Sequence, residues 1–283
     1  MTRFFIGSWL ILSISGFSFA AAEKLEENAV QSKNLGKVLG VIDLRPTVAF
    51  KGQDSFRFEN SMDVGYRFNP SSRLIYHQDF WTNLYNSVLV GGNDGLGLQI
   101  HDGYFDWLAE NIFENADKSL SISYDARVYV PTFTPRRDAG MVTAIRNYLI
   151  VGKKLNETFS LVFVETPILH VYDRAVHEGR ANPLAENRMT FEVDINLTSK
   201  LALSLPVIWS AMKMRAAEGV SGSGSTDSFI WVNPELSYSV NDNLTMGLGY
   251  YDTSSLIKAD FSSFQIFEGL EDAVVQMFLR ASL

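Results

Sequence analysis

The chain has 283 residues, 46% of them hydrophobic and 13% aromatic, with no cysteine, a formal charge of −8 and an isoelectric point near 5.1. This composition excludes a disordered chain. The acidic balance excludes the basic stripe of a nucleic-acid binder, and the lack of cysteine excludes disulfide frameworks, thiolate metal sites and thiol nucleophiles. The mean hydropathy of +0.01 is too low for a bundle of membrane helices yet high for a chain with 20% charged residues, so apolar and polar side chains must be segregated in a pattern that cancels in the average.

Residues 1–22 open with Met1-Thr2-Arg3, continue through an apolar run from Phe4 to Phe19 and end at Ala20-Ala21-Ala22. A basic start, an apolar middle and a small-x-small end form a secretory signal peptide, so export with cleavage after Ala22 is expected. Gly7, Ser8, Ser13, Ser15, Gly16 and Ser18 dilute the run and argue against a retained anchor. Residues 23–36 are expected to be a charged periplasmic arm without fixed structure. No later stretch offers the ~18 uninterrupted apolar residues of a membrane helix. The longest, Leu201–Met214, is broken by Ser204, Pro206, Ser210 and Lys213.

From residue 37 onward the hydrophobic period is two. Val38, Ile42, Leu44, Val48 and Phe50 oppose Lys37, Asp43, Arg45 and Thr47; Phe56, Phe58, Met62, Val64, Tyr66 and Phe68 oppose Arg57, Glu59, Ser61, Asp63 and Arg67. Further on, Leu120, Ile122, Tyr124, Ala126, Val128 and Val130 oppose a face with Asp125 and Arg127, and Met189, Phe191, Val193, Ile195 and Leu197 oppose Arg188, Glu192 and Asp194. At the end Val275, Met277, Leu279, Ala281 and Leu283 alternate with Gln276, Arg280 and Ser282. Alternation places the two sets on opposite sides of a strand. Soluble strands usually run ~5–6 residues, whereas a strand crossing lipid around a wet interior needs ~9–11.

Twelve strands are predicted, over 37–51, 55–68, 72–86, 95–113, 118–133, 139–153, 158–172, 187–197, 200–214, 228–240, 243–253 and 271–283. Five short polar turns at 69–72, 114–117, 155–158, 197–200 and 240–243 lie on one rim, and mostly longer connections lie on the other. An even strand count with tight turns on one rim matches the plan of a closed transmembrane barrel. In architecture, residues 37–283 resemble the Gram-negative outer-membrane β-barrel, porin-like class. That resemblance implies an all-β closed antiparallel barrel, short periplasmic turns, longer extracellular loops, contact with outer-membrane lipid, and handling by the barrel-assembly machinery through the C-terminal strand. Leu283 departs from the terminal aromatic residue that such barrels usually carry.

Three places break the pattern. Leu96, Leu98 and Ile100 share one parity while Phe105, Trp107 and Phe113 share the other, so either a bulge near His101-Asp102-Gly103 swaps the faces or 106–115 is a short helix capped by Asp106. Glu165 stands on the apolar face of its strand, which predicts a bulge beside Pro167. Pro46, Pro131, Pro167, Pro206 and Pro234 lack the ladder donor and should mark bulges, strand ends or local openings.

Enzymes built on such barrels need acid–base geometry that is missing. No His-x-Ser pair of the outer-membrane phospholipase type occurs at His77, His101, His170 or His177, and no Asp precedes any of them by two positions as in the omptin proteases. His101-Asp102 and Asp173 with His177 and Glu178 are the local metal-ligand candidates, and neither supplies a convincing set. No cofactor is expected. The predicted inward residues are Asp43, Arg45, Arg57, Glu59, Asp63, Arg67, Arg73, Asp79, Asp125, Arg127, Arg188, Glu192, Asp194, Glu235, Asp272 and Arg280, a mixed-charge set without a basic surplus. They predict a narrow lumen for passive passage of small polar solutes. The alternative is an occluded barrel that self-assembles as a homo-oligomer or binds partners through its lipid face and loops, including the apolar residues of 253–271.

Overall fold

The computed structural model describes residues 38–49, 56–83, 97–251 and 274–282. The expected signal peptide and arm lie outside the described residues, as do the connections 50–55, 84–96 and 252–273.

Short polar turns set the register of the chain, and in each a side chain does the closing. Asn69 Oδ1 accepts the Ser71 N–H at 2.9 Å, Asn156 Oδ1 accepts those of Thr158 and Phe159 at 2.8 Å, and Asn241 Oδ1 accepts that of Asn243 at 2.9 Å. Thr198 Oγ1 takes the N–H groups of Lys200 and Leu201 at 3.1 and 3.0 Å. In the fifth turn Asp117 Oδ1 accepts both the backbone N–H and the hydroxyl of Ser119, which hold its carboxyl below the usual range. Asn, Asp and Thr suit these positions because their short side chains mimic one backbone carbonyl of the turn.

Between the turns run β1 (Val38–Ala49), β2 (Phe56–Asn69), β3 (Ser72–Asn83), β4 (Gly97–Ile100), β5 (Gly103–Glu114) and β6 (Leu120–Val130). A single helical turn, α1 (Thr134–Asp138), precedes β7 (Met141–Lys154) and β8 (Phe159–Tyr172). The small hairpin β9 (Val176–His177) and β10 (Arg180–Ala181) is followed by β11 (Pro183–Asn196), β12 (Leu201–Met214), β13 (Thr226–Val232), β14 (Glu235–Asn241), β15 (Leu244–Tyr251) and β16 (Val274–Ser282). Every main ladder is antiparallel between sequence neighbours, β1 pairs with β16, and β11 joins β8 to β12, so the sheet closes on itself. With β4–β5 and β13–β14 each forming one interrupted strand, the ring is a closed twelve-strand barrel, as the alternation predicts.

The hydrophobic effect is spent outward. Val64, Phe105, Val128, Phe163, Phe191, Val207, Leu248 and Met277 are all exposed around the outer face, while their strand neighbours of opposite parity are buried inside. Five strands, β2, β7, β8, β11 and β12, have 14 residues each, longer than a soluble sandwich needs.

The parity slip at residues 101–102 is a bulge, and 106–115 is not a helix. β3 pairs Phe80 with Ile100 on one side of it and His77 with Tyr104 on the other, a shift of one residue. The extra residue turns both His101 and Asp102 inward, where they are buried. A second irregularity between Ala109 and Phe113 leaves Asn111 with φ +48° and both Ile112 and Phe113 exposed.

Two expectations need correction. No bulge lies beside Pro167: the β8–β11 ladder keeps one register from Phe159 to Leu169, and β8–β7 keeps the same register on both sides of the proline. Pro167 simply leaves its outward position unbonded towards β7, and Glu165 stays on the outer face, opposite Leu149 and Met189. Second, the strand expected at 187–197 begins at Pro183, and the connection before it contains the β9–β10 hairpin. The other prolines behave alike. The β1–β16 ladder opens at Arg45-Pro46 without slipping, Pro131 ends β6, and Pro206 and Pro234 flank one gap between β12 and β13–β14.

Candidate functional site

The inward wall is the place where this sequence concentrates polar chemistry, and its charges meet in local groups. Next to the closing seam, Asp43 Oδ2 accepts from Arg45 Nη2 at 2.8 Å and from Arg280 Nε at 3.0 Å. Arg45 Nη1 also donates to Gln276 Oε1 at 3.1 Å and lies 4.0 Å from Glu235 Oε2, and Gln276 Nε2 donates onward to Glu59 Oε2 at 2.9 Å. The Phe278 ring sits between the two guanidinium groups, 5.3 Å from that of Arg45 and 5.7 Å from that of Arg280. It fits because Gly247 lies under it: a Cβ there would stand 2.5 Å from Phe278 Cζ.

A second group spans β2 to β7. Asp63 holds His77 Nδ1, Asp79 holds His77 Nε2 at 2.8 Å, and the Tyr104 ring stacks on the imidazole at 4.4 Å. Arg127 pairs with Asp125 at 2.7 Å and Asp106 at 3.8 Å, with its guanidinium over the rings of Tyr104 and Tyr148 at 4.9 and 4.4 Å. Nearer the short-turn rim Glu110 receives Arg67 at 3.2 Å and Arg73 at 3.4 Å. On the far wall Arg188 Nη2 pairs with Glu186 Oε1 at 2.7 Å, and the Ser210 hydroxyl donates to the same carboxylate at 2.6 Å. Ser204 donates to Glu192, with Asp194 directly across the ladder from it and Glu235 on its other side.

Fourteen of the sixteen charged residues singled out in the sequence therefore lie on the inward face of a described strand. The Arg57 side chain and Asp272 lie outside the described residues. Alternation missed others of equal weight. Asp106 and Glu110 follow the bulge, so counting parity from Leu98 assigns them to the wrong side. Arg146 and Asn147 are adjacent polar residues and hide the alternation, although Ile145, Leu149 and Val151 on the opposite parity fix Arg146 as inward. Part of the interior is apolar: Ile150, Val162 and Val164 pack together, with Ile168, Ile208 and Trp231 also buried.

The metal-ligand candidates have structural partners. His101 stacks between Trp81 and Phe133, with centroids 3.7 and 4.3 Å away. Asp102 accepts from Phe133 N–H at 3.0 Å and Arg136 at 2.5 Å, which ties α1 to the bulge. Asp173 pairs with Arg174 at 2.8 Å rather than with His177, and among the described residues no group of three His, Cys, Asp or Glu side chains is arranged to hold a metal ion.

No protein-family model matches the chain, and no curated protein matches it in sequence. Solved structures match in fold. The NanC porin in a rhombohedral crystal form is 10% identical with a TM-score of 0.54, over 86% of this chain and 100% of that one. The COG4313 outer membrane channel from Pseudomonas putida F1 is 10% identical with a TM-score of 0.56, over 88% of this chain and 96% of that one. The chain thus shares its fold, a closed antiparallel barrel of twelve strands, with outer-membrane channels.

Proposed function

We propose that this protein is an outer-membrane channel through which small polar solutes pass passively, with the barrel lumen as the path. The observation that carries this reading is the inversion of the usual globular arrangement: apolar residues exposed around the outer face, ion pairs and hydrogen-bonded carboxylates inside. A barrel turned in this way is stable in lipid and keeps a polar interior. On this reading the short-turn rim is periplasmic, the inward charges named above line the path, the first 22 residues direct export and are removed, and the last strand engages the assembly machinery. Solutes with mixed donors and acceptors suit a wall whose charges are locally balanced.

Purified, detergent-solubilised barrel added to a planar bilayer should give discrete single-channel steps in potassium chloride. Absence of steps from protein that migrates as folded barrel on unboiled gels would defeat the proposal. A second reading has an observation of its own: many inward side chains, including Asp43, Arg45, Asp125, Arg127, Glu192 and Asp194, are under 9% exposed. A lumen filled by its own side chains makes the protein a structural or interaction barrel, and a silent bilayer would favour it.

A further inference from the structure

Two arginines face each other directly across the β6–β7 ladder, Arg127 and Arg146, but their surroundings differ. Arg127 is neutralised by Asp125 and Asp106. Arg146, 6% exposed, has no ion pair among the described residues. Its Nε is buried without a hydrogen-bond partner, its guanidinium stacks on the Tyr129 ring at 4.3 Å, and the Tyr148 hydroxyl is its polar neighbour. Glu186, one strand beyond, is committed to Arg188 and Ser210. A desolvated cation with an unused donor, set between aromatic rings, is a half-built anion site: the missing half is a carboxylate or a similar anion.

What lies beside it narrows the ligand. On the β8 side the neighbour across the ladder is Ile168, and further along the same two strands towards the short-turn rim come Ile150, Val162 and Val164, packed as one apolar wall. Four residues along a strand span ~13 Å, so an anionic head held at Arg146 leaves room for a hydrocarbon or aryl body to lie along that wall. A sugar has nothing to bury there, and acetate has no body to reach it.

We infer that Arg146 and the Ile150–Val162–Val164 wall form a solute site in the barrel interior for monocarboxylates that carry an apolar chain or ring. The site rests on the channel reading for its access but not for its chemistry, and the two are separable by experiment. In planar bilayers, 4-phenylbutyrate should interrupt the open-channel current at concentrations about tenfold lower than acetate, and 4-phenylbutanol, which lacks the charge, should do so no better than acetate. Loss of one charge-assisted hydrogen bond shifts binding by about tenfold or more, so Arg146→Gln should raise the half-blocking concentration of phenylbutyrate by that factor. Ile150→Asn should abolish the preference over acetate while leaving acetate itself unchanged. Equal potency of phenylbutyrate and acetate, or wild-type block of R146Q in protein that retains heat-modifiable migration, overturns the inference even though the channel conducts. If no conductance is seen, the channel reading falls, and titration calorimetry of phenylbutyrate into the solubilised barrel decides the site: saturable binding that R146Q loses supports it, and absence of binding overturns it.

Discussion

Replacing Asp43 by alanine tests whether the interior charges hold the barrel shut. Asp43 is 5% exposed and joins the first strand to the last, with a single carboxylate oxygen accepting from two guanidinium groups. The two would not suffer equally. Arg45 keeps Gln276 at 3.1 Å and Glu235 at 4.0 Å, whereas Arg280 has no other ion pair among the described residues and retains only the Phe278 ring. Removing one partner of a buried pair typically costs about 3–5 kcal/mol because the other charge stays behind. With one of the two cations still compensated, the lower end, about 3 kcal/mol, is the expected loss, which is roughly a hundredfold in the folding equilibrium. Reversible urea unfolding in phospholipid vesicles measures it directly. The double variant Asp43→Ala, Arg280→Met should recover most of the loss, because it removes the stranded charge as well. A single variant within about 0.5 kcal/mol of wild type, the scatter expected for surface changes, would refute the idea that this pair is desolvated and stabilises the seam.

Three further changes have definite expectations. Glu165→Leu should raise urea stability by about 1 kcal/mol, since a carboxyl on the outer face of mid-β8 is costly in lipid; a decrease would mean that the carboxylate has a partner in the membrane. Gly247→Val should lower the temperature of the gel-mobility transition, at a cost of about 1–3 kcal/mol for overpacking, and adding Phe278→Ala should return part of it by clearing the ring from above. The Asp117 carboxyl should titrate below 3.8 by NMR, with the midpoint moving back towards 3.8 in Ser119→Ala. The sign follows from the lowered value: the contribution of these bonds to the turn is complete above 3.8 and is lost as the pH falls through the folded-state midpoint.

The barrel was legible in the sequence because its two solvents lie on opposite sides of a structure with period two. Strands such as β2 and β16, where Val64 and Met277 face out while Asp63 and Gln276 face in, need nothing more than parity to be placed. The turns were legible for a separate reason: Asn69, Asn156, Thr198 and Asn241 close them through their own side chains. The interior was only partly legible. Parity gives the side of the sheet but not the partner, and ion pairs such as Arg45–Glu235 join residues on strands that are not neighbours in sequence. Arg146 was obscured by the polar residue after it. Val162, Val164 and Ile150 face inward on strands whose other face is apolar too, so alternation carries no signal at the wall they form. The expected bulge at Pro167 failed because a carboxyl on the outer face was taken to be too costly to tolerate, whereas the ladder keeps its register and leaves Glu165 where parity puts it.

The bulge at His101-Asp102 also acts as a phase converter in the coding of the chain. Above it the even-numbered residues of β4 look outward, and below it the odd-numbered residues of β5 do. A single-residue deletion there would align the numbering but turn either Leu98 and Ile100 or Phe105 and Trp107 into the interior, and would bring Asp106 out. Segments on the two sides are therefore interchangeable with other barrels only if the odd residue travels with them. Insertions and deletions in the connection leading into β4 leave that constraint untouched, so variation in loop length is free on one side of His101 and quantised on the other.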